Sequence, residues 1–571
     1  MNQTCKQCGQ GFEITKGDRK FYEDVSPIFN TKKELLPLPT LCPDCRFQRR
    51  LSFRNLRHLS HRKCDRTGKA IVSCYRDSSP HTVYHTSEWW SDNWDPLQYG
   101  RDFDFSRPFF DQFFEVYRAV PTVHQYATND IQNCEYVNGV GNCKNCYLSF
   151  MMDYCEDAYY VSFAEHCRSC VDCLGLTNCE LCYECVDCRD CYHLLFAERC
   201  VNCSDSAFLS DCLRCKNCIG CNNLVDKEYY VFNKECTPAE FQKQKVALLQ
   251  GANLSETLRR FRAWSLTTPK KYYFGNSNEN FSGDHVTHVK NSTHCFDAFE
   301  LEDCKYCNYV FKAHHCMDYH VFGDQSSWIY QCVATGQNCS NDLFCLCCWS
   351  GSSNNLYCHL ISACQHCFGC SGLKSKKYCI FNKQYTKEEY EKLVPKIIEH
   401  MRKTPYQSSD NSGTGQAGEW GEYFPMSMSA FGYNESEAFD YFPLTREEVV
   451  AKGWQWQEDD DVKERYMGPV IEVPQSIDDV GDEICSQILL CEVTGKPYKI
   501  IPQELKFYRD IGIAPPRKCP DQRHEERWKS RNPRKIWDRA CAKCQKSIAT
   551  SYAPDRPEKI YCEECYLQEV Y

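Results

Sequence analysis

The chain has 571 residues, of which 25% are charged and 14% aromatic, with a net charge of -10. That length exceeds one ordinary core and calls for roughly three to five domains, or one repeat body with appended modules. The acidic balance would repel a polyanion at long range, which excludes indiscriminate nucleic-acid binding by the whole surface.

The 46 cysteines, about 8% of the chain, reach the density of a small disulfide scaffold in a chain far too long to be one. The start MNQTCKQCGQGF has no signal-like apolar run, and no later stretch offers the ~18 uncharged apolar residues of a membrane span. The expectation is a soluble, cytoplasmic protein with no membrane partner. In a reducing compartment Cys-x-x-Cys elements read as metal sites rather than disulfides.

Residues 1–90 form the first module. From Cys42 to Glu88 it aligns without gaps to Cys519 to Cys565, CPDCRFQRRLSFRNLRHLSHRKC from Cys42 against CPDQRHEERWKSRNPRKIWDRAC from Cys519. Upstream, TCKQCGQGFEI answers LCEVTGKPYKI. Each copy carries two four-ligand sites in series, each with a knuckle, a hairpin and a second ligand pair at the start of a helix, as in a treble-clef zinc ribbon. Pro43 suits the first helical turn, so Cys42 and Cys45 lie at a helix N-terminus whose dipole favours thiolate.

In the first copy Cys5, Cys8, Cys42 and Cys45 form a full ligand set, whereas Cys64 is followed by Thr67, His85 and Glu88. In the second copy, residues 483–571, the pattern inverts: Cys491, Thr494, Cys519 and Gln522 are degenerate, and Cys541, Cys544, Cys562 and Cys565 are complete. Two structural Zn2+ ions per chain are expected. Four thiolates leave no open coordination position, so neither site is catalytic.

Residues 91–130 are an aromatic-rich connector; the stretch WWSDNWDPLQYGRDFDFSRPFFDQFFEVY, which begins at Trp89, leads into it and ends in a short helix after Ser106. Two repeat blocks follow, 131–265 and 266–403. Cysteines recur there at multiples of three and at 21, as in Cys146, Cys167 and Cys188, or Cys179, Cys200 and Cys221. A fixed period of this size predicts stacked coils, read as a parallel β-helix or related solenoid with about one turn per 21 residues. The fold class expected is therefore mainly β, with the two ribbon modules flanking this solenoid.

The blocks are themselves duplicates, CKNCIGCNNLVDKEYYVFNK from Cys215 against CQHCFGCSGLKSKKYCIFNK from Cys364. A capping-box helix follows each, at Thr237 with Glu240 and at Thr386 with Glu389. Residues 404–482 combine a flexible linker, SSDNSGTGQAG, with an aromatic strap.

The run LCPDCRFQRRLSFRN, the stretch WWSDNWDPLQYGRDFDFSRPFF and the ending APDRPEKIYCEECYLQEVY resemble a family of zinc-ribbon, cysteine-repeat proteins from candidate-phyla bacteria. The resemblance spans essentially the whole chain and implies no activity. Members sometimes carry a CaiB/BaiF CoA-transferase label, but such an enzyme needs alternating strand and helix units with a placed carboxylate, which this cysteine grid does not offer. The resemblance supplies no catalytic residues.

The strongest functional motif is basic. From Arg46 to Lys63 the sequence holds seven Arg or Lys and no acid, and Arg46, Arg50 and Arg54 fall on one helical face, with Arg57 just beyond a helix that is predicted to end near Asn55. Arg523, Arg527, Arg531 and Arg534 repeat the pattern. A zinc-pinned helix of guanidinium groups would engage successive phosphates of RNA or DNA; alternatively these arginines pair with acids of the repeat body.

A second hypothesis gives the central thiols, such as Cys182, Cys185, Cys188 and Cys191, a role in metal storage or dithiol exchange. A third is a carbohydrate-active β-helix, for which His314, His315 and Asp318 form no recognisable set. There is no phosphate loop, HExxH, dinucleotide fingerprint or nucleophile elbow. The expectation is a non-enzymatic zinc-binding scaffold or adaptor for a macromolecular partner.

Overall fold

The computed structural model describes residues 1–128, 130–165, 174–177, 188–249, 253–321, 323–407, 418–458 and 467–570. Helix and strand each account for 26%, and the strands fall into many small sheets, so the chain is mixed rather than mainly β. It divides into two compact units that interleave along the sequence, 1–125 with 275–457 and 126–274 with 458–571. Each unit thus joins a terminal module to the repeat block that is not its neighbour in sequence.

The first unit begins with a hairpin of Asn2–Thr4 and Gly11–Glu13 that turns through Cys5 and Cys8. Helix Lys16–Asp24 follows a reciprocal capping box between Thr15 and Asp18, and Pro43 opens helix Pro43–Leu51 directly behind Cys42. A second hairpin, Ser60–Lys63 with Ala70–Ser73, leads to the short helix Thr86–Trp90.

The second unit repeats this order. Hairpin Leu489–Leu490 with Pro497–Tyr498 is followed by helices Pro502–Ile511 and Pro520–Ser530, then by hairpin Trp537–Ala540 with Ser547–Thr550 and helix Glu563–Val570. The helices behind Cys42 and Cys519 end at Leu51 and Ser530, earlier than expected, which leaves Arg54 and Arg531 beyond the helical face. Local serine bonds compete with further helix: Ser52 Oγ donates to Arg49 O at 2.8 Å and Ser530 Oγ to Arg527 O at 2.7 Å.

Within the repeat blocks, segments pair in parallel at an offset of 12 residues. Asn138 pairs with Phe150 and Phe150 with Ser162, Ser204 lies between Tyr192 and Lys216, and in the first unit Gly283 pairs with Cys295. An extra residue widens the offset to 13 where Ala313 pairs with Ser326 and Cys348 with Ile361. The expected period of 21 is therefore corrected: the segments pair at 12.

The reason lies in the backbone. Every third residue has positive φ, as at Asn142, Asn145, Leu148, Met151, Tyr154 and Asp157, and the residue that follows such a position points inward, as Cys143, Cys146 and Cys155 do. Inward points of this lattice recur every three residues, as at Cys143, Cys146, Ser149, Met152, Cys155 and Ala158, so 21 is a multiple of the lattice step just as 12 is. The recurrence at 21 records which inward points carry cysteine, not how the segments pair. A left-handed residue costs about 1–2 kcal/mol unless it is Gly, Asn or Asp, which accounts for the abundance of these residues in the repeats.

Each stack ends in an antiparallel hairpin, Glu228–Val231 with Lys234–Glu235 in one unit and Cys379–Ile380 with Lys383–Gln384 in the other. The same asparagine closes both. Asn233 Nδ2 donates to Asn222 O at 2.8 Å while its Oδ1 accepts from Asn222 N at 3.0 Å, and Asn382 does likewise with Ser371 at 2.7 and 2.8 Å. Both predicted capping boxes form, and they start helices Pro238–Leu249 and Lys387–Lys403.

The aromatic connector supplies the core of the first unit. Helix Phe109–Ala119 packs Phe109 on Tyr357, Phe368 and Phe381, and Phe113 on Phe424. Glu419 caps this helix by accepting the N–H groups of Phe109 and Phe110 at 2.7 Å each, so the strap belongs to the same core. Residues 408–417 of the expected linker lie outside the described residues. No described helix is long and apolar enough to cross a membrane.

Candidate metal centres

All four expected knuckles form the same turn, with or without a full ligand set. The cysteine carbonyl accepts the N–H of the residue four positions on, from Gly9 to Cys5, Gly68 to Cys64, Gly495 to Cys491 and Gln545 to Cys541, at 2.8 to 3.0 Å. That fourth residue is left-handed each time, with φ between 63° and 73°, which explains glycine at three of the four positions.

Two knuckles meet a second cysteine pair. The sulfurs of Cys5, Cys8, Cys42 and Cys45 all lie within 4.8 Å of one another, as do those of Cys541, Cys544, Cys562 and Cys565, and among the described residues these are the groups of three or more that could hold a metal ion. Cys8 Sγ is 3.7 Å from Cys42 Sγ, and Cys544 Sγ is 3.7 Å from Cys562 Sγ. That is far beyond the ~2.05 Å of a disulfide. In both clusters three cysteines are buried and the second cysteine of the knuckle, Cys8 or Cys544, is exposed.

Electrostatics favour thiolate at one cysteine of each cluster, Cys42 at a helix start and Cys541 in a knuckle, whereas burial pushes up Cys562, which precedes the other helix. A hydrogen bond from Cys45 and the backbone N–H of the same residue draw Cys42 down against the cost of burial. Burial opposes ionisation of Cys541, but backbone N–H groups of the knuckle and of Cys562 outweigh it.

The other two sites have rewired their ligands. Cys64 Sγ accepts the N–H of His85 at 3.3 Å and is bonded by Thr67, while His85 turns away to cap its own helix through Ser87 and Glu88 pairs with Arg66 at 3.5 Å. In the second copy Thr494 Oγ1 lies 3.8 Å from Cys519 Sγ, and Gln522 Nε2 donates to Glu526. Threonine thus replaces the second knuckle cysteine at both empty positions, and its hydroxyl takes over as hydrogen-bond partner of the remaining thiol.

The predicted basic face is turned inward. Arg46 binds Asp318 through Nε to Oδ2 at 2.6 Å and Nη2 to Oδ1 at 3.2 Å, and Arg54 Nε reaches Glu437 at 2.6 Å. Arg50 is completely buried, 3.8 Å from Asp318. In the second unit Arg523 donates to Tyr508, lies 3.6 Å from Glu504 and covers the Tyr160 ring, and Arg527 is buried. Arg57, Arg531 and Arg534 are half-buried.

Four of the buried guanidinium groups, those of Arg46, Arg50, Arg54 and Arg523, face carboxylates of their own units, which is the alternative reading of these arginines, pairing with acids of the protein itself rather than with phosphates. Sequence reasoning named the arginines but missed Asp318, Glu437 and Glu504. A lone acid in an aromatic stretch such as HCMDYH carries no local signal of its partner.

The central thiols have a uniform environment. The Sγ of Cys146 donates to Lys144 O and Cys155 O at 3.4 and 3.6 Å, and Cys203, Cys212, Cys304 and Cys364 repeat this bonding to the carbonyls two residues back and nine ahead. Ser149 occupies one of these inward points and makes the same two bonds at 2.9 and 3.3 Å. Where an inward point carries cysteine or serine, the side chain donates to this pair of carbonyls, and a thiol is the more apolar of the two, whereas other inward points carry Met152, Ala158 or Leu209. Cys182 and Cys185 lie outside the described residues.

The exposed His314 faces Glu302 at 3.6 Å and the half-buried His315 faces Asp303 at 3.7 Å, while Asp318 is spent on Arg46. These three residues are not brought together. No family model matches this sequence, and none of the curated proteins compared with it is similar.

Proposed function

We propose that the protein is a zinc-dependent, non-enzymatic scaffold that acts in the cytoplasm by binding a macromolecular partner. The observation that carries the metal is the sulfur spacing. Zn–S bonds of about 2.3 Å at tetrahedral angles set neighbouring sulfurs about 3.8 Å apart, and both clusters present 3.7 Å. Four sulfur ligands close the coordination sphere, so each zinc would be structural and each module a treble-clef ribbon.

The repeat blocks, on this reading, are solenoids of 12-residue coils that give the modules a rigid seat. The arginine pairs support this role: Arg46 begins one residue after the ligand Cys45 and ends on Asp318 of the repeat block. With the basic helices occupied in this way, the partner would be met by other surfaces. Metal storage by the central thiols is disfavoured by their bonds to carbonyls and by serine at an equivalent point.

Metal analysis of the purified chain tests the proposal. Two zinc ions per chain are expected, lost with chelator together with thermal stability. A content near zero, or an apo form as heat-resistant as the native one, would remove the zinc scaffold; a content well above two would return the central thiols to consideration.

A further inference from the structure

The helix Thr86–Trp90, where the first module lost its second metal-ligand pair, carries an aromatic cluster instead. Lys374, in the last turn of the repeat block, directs its ammonium into that cluster. Its Nζ lies 4.7 Å from the ring centroid of Trp89, 5.1 Å from Trp94 and 5.8 Å from Trp90. It also donates to Trp89 O at 2.5 Å and approaches Ser91 O at 3.5 Å.

The rings are held from behind. Trp94 Nε1 donates to Trp89 O at 2.8 Å, Trp89 Nε1 donates to Pro121 O at 2.9 Å, and Trp349 stacks on Trp90 at 5.7 Å. Trp89 is fully buried, whereas Trp90, Trp94 and Lys374 are half-buried, so the cage has a solvent side. Three indole faces converging on one cation are the arrangement that recognises quaternary ammonium groups.

The duplicate shows that a caged ammonium is not needed to join module and repeat block. By alignment, Trp89 corresponds to Tyr566, Trp90 to Leu567, Gly372 to Asn223 and Lys374 to Val225. At these aligned positions the second unit has an uncharged bond, Tyr566 Oη to Asn223 Oδ1 at 2.8 Å. The cage and its lysine belong to the first unit alone.

We propose that Trp89, Trp90 and Trp94 form a binding site for a methylated ammonium group, closed at rest by Lys374 as an internal ligand. A primary ammonium is strongly hydrated, and entering the cage it exchanges water for two carbonyls and ring faces. A quaternary ammonium has no N–H to satisfy and a weaker hydration shell, so the same rings favour it. Lys374 competes through its high effective concentration, which keeps the site shut until such a ligand is abundant or Lys374 is displaced.

Tetramethylammonium chloride is the probe, followed by tryptophan fluorescence with sodium chloride at equal ionic strength as control. Lys374→Ala should bind at least tenfold more tightly than the native chain, and adding Trp94→Ala should abolish the gain. If Lys374→Ala unfolds the cage, Lys374→Met, which keeps the stem packed and removes only the charge, should gain melting temperature from the probe where its Trp94→Ala double variant does not. Equal affinity of native and lysine-free chains, or binding indifferent to Trp94, would overturn the proposal.

Discussion

Arg46 and Asp318 stand 272 residues apart in sequence and form a two-point, fully buried ion pair, with Nε to Oδ2 at 2.6 Å and Nη2 to Oδ1 at 3.2 Å. The pair connects a residue beside a metal ligand to the repeat block. Arg50 depends on the same carboxylate at 3.8 Å.

Asp318→Ala should therefore destabilise more than an isolated surface substitution would, because it strands two buried guanidinium groups at once. Loss of one partner of a buried pair costs about 3–5 kcal/mol. Urea unfolding of the two variants should place Asp318→Ala well below Arg214→Ala, whose pair with Asp226 is exposed and is worth at most about 1 kcal/mol. Equal midpoints would mean that the arginines dock by packing alone.

This pair also marks where the sequence stops being legible. A four-cysteine cluster follows a short spacing code, so the eight cysteines could be read from four Cys-x-x-Cys elements, one of them opening its helix as Cys42-Pro43, and both clusters assemble as expected. The capping boxes at Thr237 and Thr386 were readable for the same reason, since each closes over three residues. The partners of the arginines were not, because Asp318 and Glu437 reach them only through tertiary folding. The repeat period was misread because cysteine marks only some inward points of a three-residue lattice. The interleaving of modules and blocks into two units leaves no local trace in composition.

The degenerate knuckle of the second copy should be repairable. Cys491 and Cys519 remain, the turn through Gly495 is intact, and Thr494 already places its Oγ1 3.8 Å from Cys519 Sγ. Thr494→Cys combined with Gln522→Cys restores four thiols on a preformed backbone. If the two cysteine clusters hold zinc as proposed, metal content should rise from two to three ions per chain, and cobalt substitution should add a third tetrahedral thiolate spectrum. A count that stays at two would show that the backbone has drifted from ligand geometry.

The inward thiols should tolerate serine and resist bulk. Cys203 donates to Val201 O and Cys212 O at 3.5 and 3.4 Å, the same bonding that Ser149 makes at its own point. Cys203→Ser should change stability by less than about 1 kcal/mol, within the range of one exchanged hydrogen bond. Cys203→Leu should cost about 1–3 kcal/mol by overpacking. Denaturant midpoints separate the two, and a serine variant as damaged as the leucine variant would show that sulfur itself is required.

Asp342 gives the stability a pH dependence of definite sign. It is fully buried in the first unit, accepts N–H groups of Asn355 at 3.0 and 2.9 Å through Oδ1, and burial raises its pKa from 3.8 to about 7. The folded state holds the proton more tightly than the unfolded chain. Its favourable contribution is therefore complete below pH ~4, and declines as pH rises through the interval to about 7, by up to about 4 kcal/mol at 1.36 kcal/mol per unit.

Zinc held by the cysteine clusters, on the proposed reading, would run the other way, because protonated thiols release zinc at low pH, so the native profile alone would mix two slopes. Asp342→Asn separates them, since the amide oxygen can keep the bonds to Asn355 while the titrating proton is gone. The difference in unfolding free energy between Asp342→Asn and the native chain should grow in favour of the variant from pH 4 to pH 7 and then level off. A difference that is constant across that range would mean that Asp342 titrates alike in the folded and unfolded chains.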